Sequence, residues 1–467
     1  MKIEPGQIIA GFRIEEAKDI PDIESRAYIG VHVASGAKLL YLENDDEEKS
    51  FAIGFRTPPQ DDTGVFHILE HSVLCGSERF PVKEPFVNLL QGSMQTFLNA
   101  MTFPDKTIYP VASTNERDLR NLIDVYMDAV LRPAILTDPM IFRQEGWHYE
   151  VEDGHPVING VVYNEMKGAL SDPEEALGVK IKEVLFPDTC YRWESGGKPD
   201  SIPDLTYERF LEDYRRHYRL DNSWIILYGS MDVASLLAFL DERHLAPWVA
   251  EHANAGVGAA VDTLRPRSIT RQSPVRVDDA ECVVHTTPDN AMVSLSFVLP
   301  HGHDCRTLIG TDIMLSALAG SNESPLRRAL LDADLADSIT FPLTEEVLQP
   351  YVTVQFRGLH EGALERVEAT FEEVLRDLIA KGFDREALLA SICRQEFTLR
   401  ERDFGVSSGV VYAMTALSTW LYDDAAAVDA LQFSEHFAAL REGVDTGYFE
   451  ALAAELFLGN PHRAIVR

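Results

Sequence analysis

Cysteine is scarce in this chain, basic residues are outnumbered, and long apolar runs are missing. Five cysteines, Cys75, Cys190, Cys282, Cys305 and Cys393, are scattered over 467 residues. An odd number at wide spacing argues against a disulfide framework, and no CxxC pair offers a zinc or redox motif. No apolar run reaches the length needed to cross a bilayer. The N-terminal "MKIEPGQIIAGF" has no apolar h-region and no cleavage pattern, so it does not read as a secretory signal. These absences point to a reducing, cytoplasmic setting and to no membrane partner. Lysine and arginine total 42 against 75 acidic residues, a net charge of −33. A chain so negative repels phosphate backbones, which argues against a nucleic-acid partner.

What is present is globular. Hydrophobic residues make up 45% and charged residues 25%, and the length suits two or three domains. "KSFAIGFRTPP" (49–59) alternates Phe51, Ile53 and Phe55 as a strand does. "HILEHSVLCGS" follows a turn and ends at a glycine, as a helix would. "NERDLRNLIDVYMDAVLRP" places Leu119, Leu122, Ile123, Tyr126 and Val130 at helical spacing, and Pro133 stops it. "YERFLEDYRRHYRLDNSWIILYG" (207–229) reads as helix, polar turn and buried strand. From about 250 to 275 the composition shifts to Ala, Gly, polar and basic residues, as in a linker. Beyond it lie a strand, "AMVSLSFVLP", and an amphipathic helix, "LERVEATFEEVLRDLIAKG", stopped by Gly382. The expected division is a first domain over 1–250, a linker over 251–274 and a second domain over 275–467.

A weak internal repeat spans that linker. "LCGSERFP" and "LAGSNESP" share Leu-x-Gly-Ser-x-x-x-Pro, with Leu74 matched to Leu318 at a displacement of 244. The strands "SFAIGFRTP" and "MVSLSFVLP", and the segments that begin at Tyr207 and Tyr448, recur at nearly the same displacement. Two copies of one α+β unit are therefore expected, each an antiparallel-rich sheet packed with helices. The repeat fails at one place. His67, Glu70 and His71 map to Thr311, Met314 and Leu315, so the second copy keeps the helix and loses its polar groups. That favours a function specific to the first copy.

The failing stretch is "VFHILEHSV", residues 65–73. On a helix, i and i+4 share a face, so His67 and His71 can chelate one ion. Glu70 is too close in sequence to be an obvious third ligand, but it can reach a water beside the metal. This HxxEH order is the inverted zincin motif. Zinc needs a third protein ligand and an open fourth position. "INGVVYNEMKGALSD" supplies a candidate third ligand, Glu165, where a short apolar run passes into a helix. Spacing alone leaves it one of many acids. "HGHDC", with His301, His303 and Cys305, is a rival metal site in a polar loop. His148 and His155 lie near turns and read as solvated.

"HILEHSVLCGSERFPVKEPF", "LLQGSMQTFLNAMTFPDKTIYPVAS", "GVVYNEMKGAL" and "SGGKPDSIPDLTYERFLEDYRRHY" together resemble the pitrilysin/insulinase zinc metallopeptidases, in their presequence-protease-like branch. The resemblance implies zinc held by His67, His71 and Glu165, with Glu70 as general base. It also implies that a peptide substrate adds as a strand beside the metal, against "FLNAMT". The backbone at Asn99 and Ala100 and the Asn99 side chain would hold it, by β-augmentation.

In that branch four α+β domains form two halves around the peptide, and this chain matches the first half. Its end at "HRAIVR" falls inside an expected strand, so a carboxy-terminal half, or a homologous chain, is the expected partner. The first reading is a zinc-dependent endopeptidase acting on unstructured peptides, including basic ones. The alternative is a non-catalytic binding or assembly subunit, which complete metal ligands argue against. A structural zinc would need a fourth protein ligand, and none is evident.

Overall fold

A computed structural model describes residues 3–82, 85–254, 265–284, 286, 290–302 and 304–467. Contacts divide the chain into two compact units. The first comprises 1–168, 194–268 and 404–431, and the second 169–193, 269–403 and 432–467. The sequence suggested one division, at 251–274. By contacts, two segments are exchanged across it, and residues 255–264 of that linker lie outside the described residues.

The first unit is built on a nine-stranded sheet. In chain order its strands are β1 (Ile8–Ile9), β2 (Phe12–Ile20), β3 (Ser25–His32), β4 (Lys38–Glu43), β5 (Lys49–Arg56), β6 (Gln95–Leu98), β7 (Met101–Thr102) and β8 (Lys106–Ser113). A β-ribbon, β9 (His148–Glu152) with β10 (His155–Asn159), stands apart, and β11 (Ser223–Tyr228) completes the sheet. The sheet order is β1-β2-β3-β4-β11-β5-β8-β6, with β7 also on β8. All pairs are antiparallel except β11 with β4. Every residue of β8 and β11 is buried, which explains why "SWIILY" reads as a continuous apolar run rather than an alternating one. The helices Glu116–Leu131 and Ser408–Trp420 pack against this sheet. Gly54 and Gly409 let the second of these approach closely, since a Cβ on Gly409 would stand 2.2 Å from Ser50 Oγ.

The second unit holds β12 (Arg276–Ala280), β13 (Met292–Val298), β14 (Ala336–Thr340), β15 (Leu343–Thr344), β16 (Tyr351–Leu359) and β17 (Arg463–Val466). Its order is β12-β17-β13-β16-β14, with β15 also on β16. The repeat is visible here in topology. The run β12-β17-β13-β16 matches β4-β11-β5-β8 strand for strand, including the one parallel pair. The helix Cys305–Ala319 takes the place of α1 (Val65–Val73), and Thr311, Met314 and Leu315 are buried in it.

Candidate metal centre

Six of the nine residues of α1 are buried: Val65, Phe66, Ile68, Leu69, Ser72 and Val73. The other three are His67, Glu70 and His71. Burial of Phe66, Ile68 and Leu69, worth about 1.5–3 kcal/mol each, fixes the helix so that its polar stripe faces one way.

The start of α1 is held by close backbone packing. Gly64 has φ +65°, and a Cβ there would come within 2.5 Å of the Gly196 carbonyl oxygen. Asp62 ties the same two segments together. Its Oδ1 accepts from the Glu194 N–H at 2.8 Å, its carbonyl accepts from the Lys198 N–H at 2.7 Å, and its carboxylate pairs with the Lys198 ammonium at 2.9 Å. The Gly196 carbonyl then accepts from His67 Nδ1–H at 3.2 Å. His71 Nδ1 lies 3.4 Å from Glu145 Oε2, a buried carboxylate. With both Nδ1 atoms so engaged, each imidazole offers the lone pair of Nε2.

Glu165 comes from the helix Val161–Ala169. Gly160 lets that helix begin against Gly146, where a Cβ would be 2.1 Å from the Gly146 carbonyl oxygen. Glu165 Oε2 lies 3.7 Å from His67 Nε2 and 3.7 Å from His71 Nε2. Ligand bonds near 2.05 Å in a tetrahedron space donor atoms about 3.4 Å apart, so two imidazoles and a carboxylate here fit zinc with a small inward shift. Among the described residues, this is the one group of three or more His, Cys, Asp or Glu able to hold a metal ion. Half of the Glu165 side chain is exposed, which leaves the fourth position approachable.

Glu70 is not one of the donors. Its Oε2 accepts from Thr102 Oγ1 at 3.0 Å, on the edge strand β7. Burial raises its pKa, against the pull of His71, His67 and the Thr102 hydrogen bond. The buried phenols of Tyr109, Tyr126 and Tyr218 are raised first by burial, with the Glu70 charge adding to it, so they stay neutral. Burial also lowers the pKa of His71, but Glu145 and the charges of Glu70 and Glu165 outweigh it, and the net shift is upward. Glu145 is held below its usual range because its bond to His71, with Gln144 and Cys75, outweighs burial.

Asn99 and Ala100 lie between β6 and β7, at the edge of the sheet. The two differ in direction. The Asn99 N–H donates to the Pro110 carbonyl at 3.3 Å. Pro110 has no N–H to return, and the Asn99 carbonyl accepts instead from Tyr126 Oη at 3.3 Å. The backbone of Asn99 is therefore turned inward, whereas the reading from sequence had it offered to a substrate; its side chain is exposed. Ala100 is on the opposite parity. In an antiparallel ladder its N–H and C=O point to the free edge.

The rival site is described only in part. His301 pairs with Glu455 at 3.6 Å, Cys305 opens a helix, and His303 lies outside the described residues. His148 is engaged with the Arg143 carbonyl and Glu150. Sequence reasoning missed Glu145, Gly196 and Thr102. The Gly196–Gly197 doublet was a visible sign of close backbone approach, whereas an acid ending a short helix, as Glu145 does, carries no sign. None of the five cysteines is in a disulfide, and no described helix is long and apolar enough to cross a membrane.

Residues 204–392 match the family model described as "Peptidase M16 inactive domain". That span lies wholly after the four residues of the metal centre. Protein HypA of Clostridium perfringens is 39% identical over 471 residues, covering 100% of this chain and 48% of that protein. Presequence protease 1, chloroplastic/mitochondrial, of Arabidopsis thaliana is 37% identical over 466 residues, covering 98% of this chain and 42% of the relative. The chain thus spans about half the length of the curated relatives it matches. In fold, it resembles a protease from Helicobacter pylori, with a TM-score of 0.68 and 13% identity over 98% of this chain and 99% of that one. With its sheet topology, these matches place the chain in the peptidase M16 family, among the homologues of presequence proteases.

Proposed function

We propose that this chain is the zinc-binding catalytic half of an endopeptidase that hydrolyses extended, unfolded peptides. The observation that carries this reading is the convergence of His67 Nε2, His71 Nε2 and Glu165 Oε2 beside a buried Glu70. His67, His71 and Glu165 would hold the metal. Bound zinc supplies a Lewis acid that acidifies a water and polarises the scissile carbonyl. Gly196 and Glu145 keep the two imidazoles aimed. Glu70 takes a proton from the attacking water and passes it to the leaving amide nitrogen. Thr102 engages Oε2, so Oε1 is the oxygen left to carry that proton.

The substrate enters as a strand. Ala100 offers backbone groups at the free edge, so affinity comes from main-chain bonds with little demand on sequence. Basic peptides suit a chain of net charge −33. The partner is a second, homologous half, present in the same polypeptide or supplied as another chain. The closeness of His67, His71 and Glu165 to one another and of Glu70 to them supports this reading over the competing one, a non-catalytic assembly subunit.

Purified protein is expected to carry about one zinc per chain, and none under conditions that do not strip metal would refute the site. Glu70→Gln is expected to keep the zinc and lose about 10²- to 10⁴-fold in cleavage of a quenched peptide. The assay is run with and without the second half, and equal cleavage by variant and parent would remove Glu70 from the mechanism.

A further inference from the structure

Thr102 sits at a junction that the metal centre alone does not explain. Its side chain reaches α1, with Oγ1 3.0 Å from Glu70 Oε2 and 3.5 Å from the Phe66 carbonyl. No other hydrogen bond to the Glu70 carboxylate is seen among the described residues. Its backbone lies on the edge strand, opposite Thr107. The register sets the direction of that backbone. Asn99 donates to Pro110 and Phe103 donates to Lys106 at 2.8 Å, so 99, 101 and 103 face β8. Leu98, Ala100 and Thr102 therefore turn N–H and C=O outward, and among the described residues no strand pairs with them. Side chains alternate across a strand, so Leu98, Ala100 and Thr102 also share the face on which Glu70 lies.

We infer that Thr102 is a positioning residue that couples docking of a peptide strand to placement of the general base. Its N–H and C=O pair with the incoming backbone, while its Oγ1–H fixes which carboxylate oxygen of Glu70 is free. The β-branched side chain is stiff about χ1, so settling the backbone of β7 against a peptide also settles Oγ1. A peptide that fails to pair along Ala100 and Thr102 leaves β7 less fixed and Glu70 less well aimed. Peptides unable to extend along this edge are then poor substrates whatever their side chains. This rests on the peptidase reading above and adds to it how the site senses an extended backbone.

The test compares Thr102→Val, which keeps the shape and loses the hydroxyl, with Thr102→Ser, which keeps the hydroxyl. Zinc content and peptide affinity are measured as well, the latter by fluorescence anisotropy in the non-hydrolysing Glu70→Gln background. Thr102→Val is expected to lower kcat roughly 10- to 100-fold, with KM, zinc content and anisotropy affinity within about twofold of the parent. Thr102→Ser is expected to restore most of the loss. If Thr102→Val cleaves like the parent, or loses zinc or peptide affinity in step with kcat, the positioning role is overturned and the peptidase reading stands. If the parent, carrying zinc and supplied with a second half, cleaves no peptide, the peptidase reading itself falls and the coupling falls with it.

Discussion

At the scale of single residues, the candidate metal centre is shaped by side chains that are not among its donors. Glu145 is the clearest. It is buried, it faces His71 Nδ1, and its pKa is held down by that contact despite burial. Outer partners of this kind set the tautomer and basicity of a ligating imidazole. Glu145→Ala is expected to weaken zinc binding by roughly 10- to 100-fold, read by competition with a chromogenic chelator; unchanged affinity would make Glu145 a packing residue only. His217 supports the same helix from beneath, its ring edge-on to Phe66 at 4.9 Å and its Nδ1–H donating to the Arg56 carbonyl at 3.0 Å. Burial first, and then Arg267, push its pKa down to about 3, against the Arg56 carbonyl. The unfolded chain takes up this proton below about pH 6.5, while the folded state refuses it until about 3. The stabilisation is therefore complete above 6.5 and is lost as pH falls, on the order of 3 kcal/mol by pH 4. Urea unfolding of zinc-free protein at pH 7 and pH 4 checks this, and the difference should shrink in His217→Gln. Of these residues, His67, Glu70 and His71 were legible because helical spacing is local. Glu145 and His217 were not, because their roles exist only once distant segments meet.

At the scale of elements, α1 is placed by its first turn. Gly64 is left-handed, and there is no room for a Cβ beside Gly196. Gly64→Ala meets both obstacles, a left-handed backbone costing about 1–2 kcal/mol and a clash with a carbonyl. The expected result is a fall in Tm with a parallel loss of zinc, since the Gly196 carbonyl also orients His67. Thermal melts with and without zinc separate the two effects; a variant with the parent's Tm and zinc content would show that the loop moves freely. The strand within 49–59 was evident from alternation, and α1 from the turn before it and the glycine after it. The edge at β6 and β7 was found only as a stretch of sequence, because the alternation that turns Asn99 inward and Ala100 outward depends on the register with β8. Pro110 makes that register readable afterwards, as its missing N–H explains why Tyr126 bonds the Asn99 carbonyl.

At the scale of the whole molecule, the repeat was visible as three faint marks, and topology made it firm: four strands recur in the same order with the same single parallel pair. The exchange of 169–193 and 404–431 between units was invisible, because no local pattern says which sheet a helix will cover. Net charge, by contrast, needs no fold to be read, and it makes a prediction at this scale. With 75 acidic and 42 basic side chains, the chain attracts a basic peptide over distances comparable to the Debye length, about 10 Å at 0.1 M salt and about 3 Å at 1 M. Such attraction speeds encounter more than it strengthens the docked state. The proposed main-chain pairing along β7 makes no distinction between extended peptides. Two quenched peptides of one length, one rich in Lys and Arg and one neutral, should then differ chiefly in kcat/KM at low salt. The basic peptide should lose much of its advantage between 0.05 and 1 M salt while kcat holds, and the neutral peptide should change little. Steady-state kinetics across that salt series decide the matter. If both peptides respond alike, the acidic surface serves solubility and takes no part in selecting substrate.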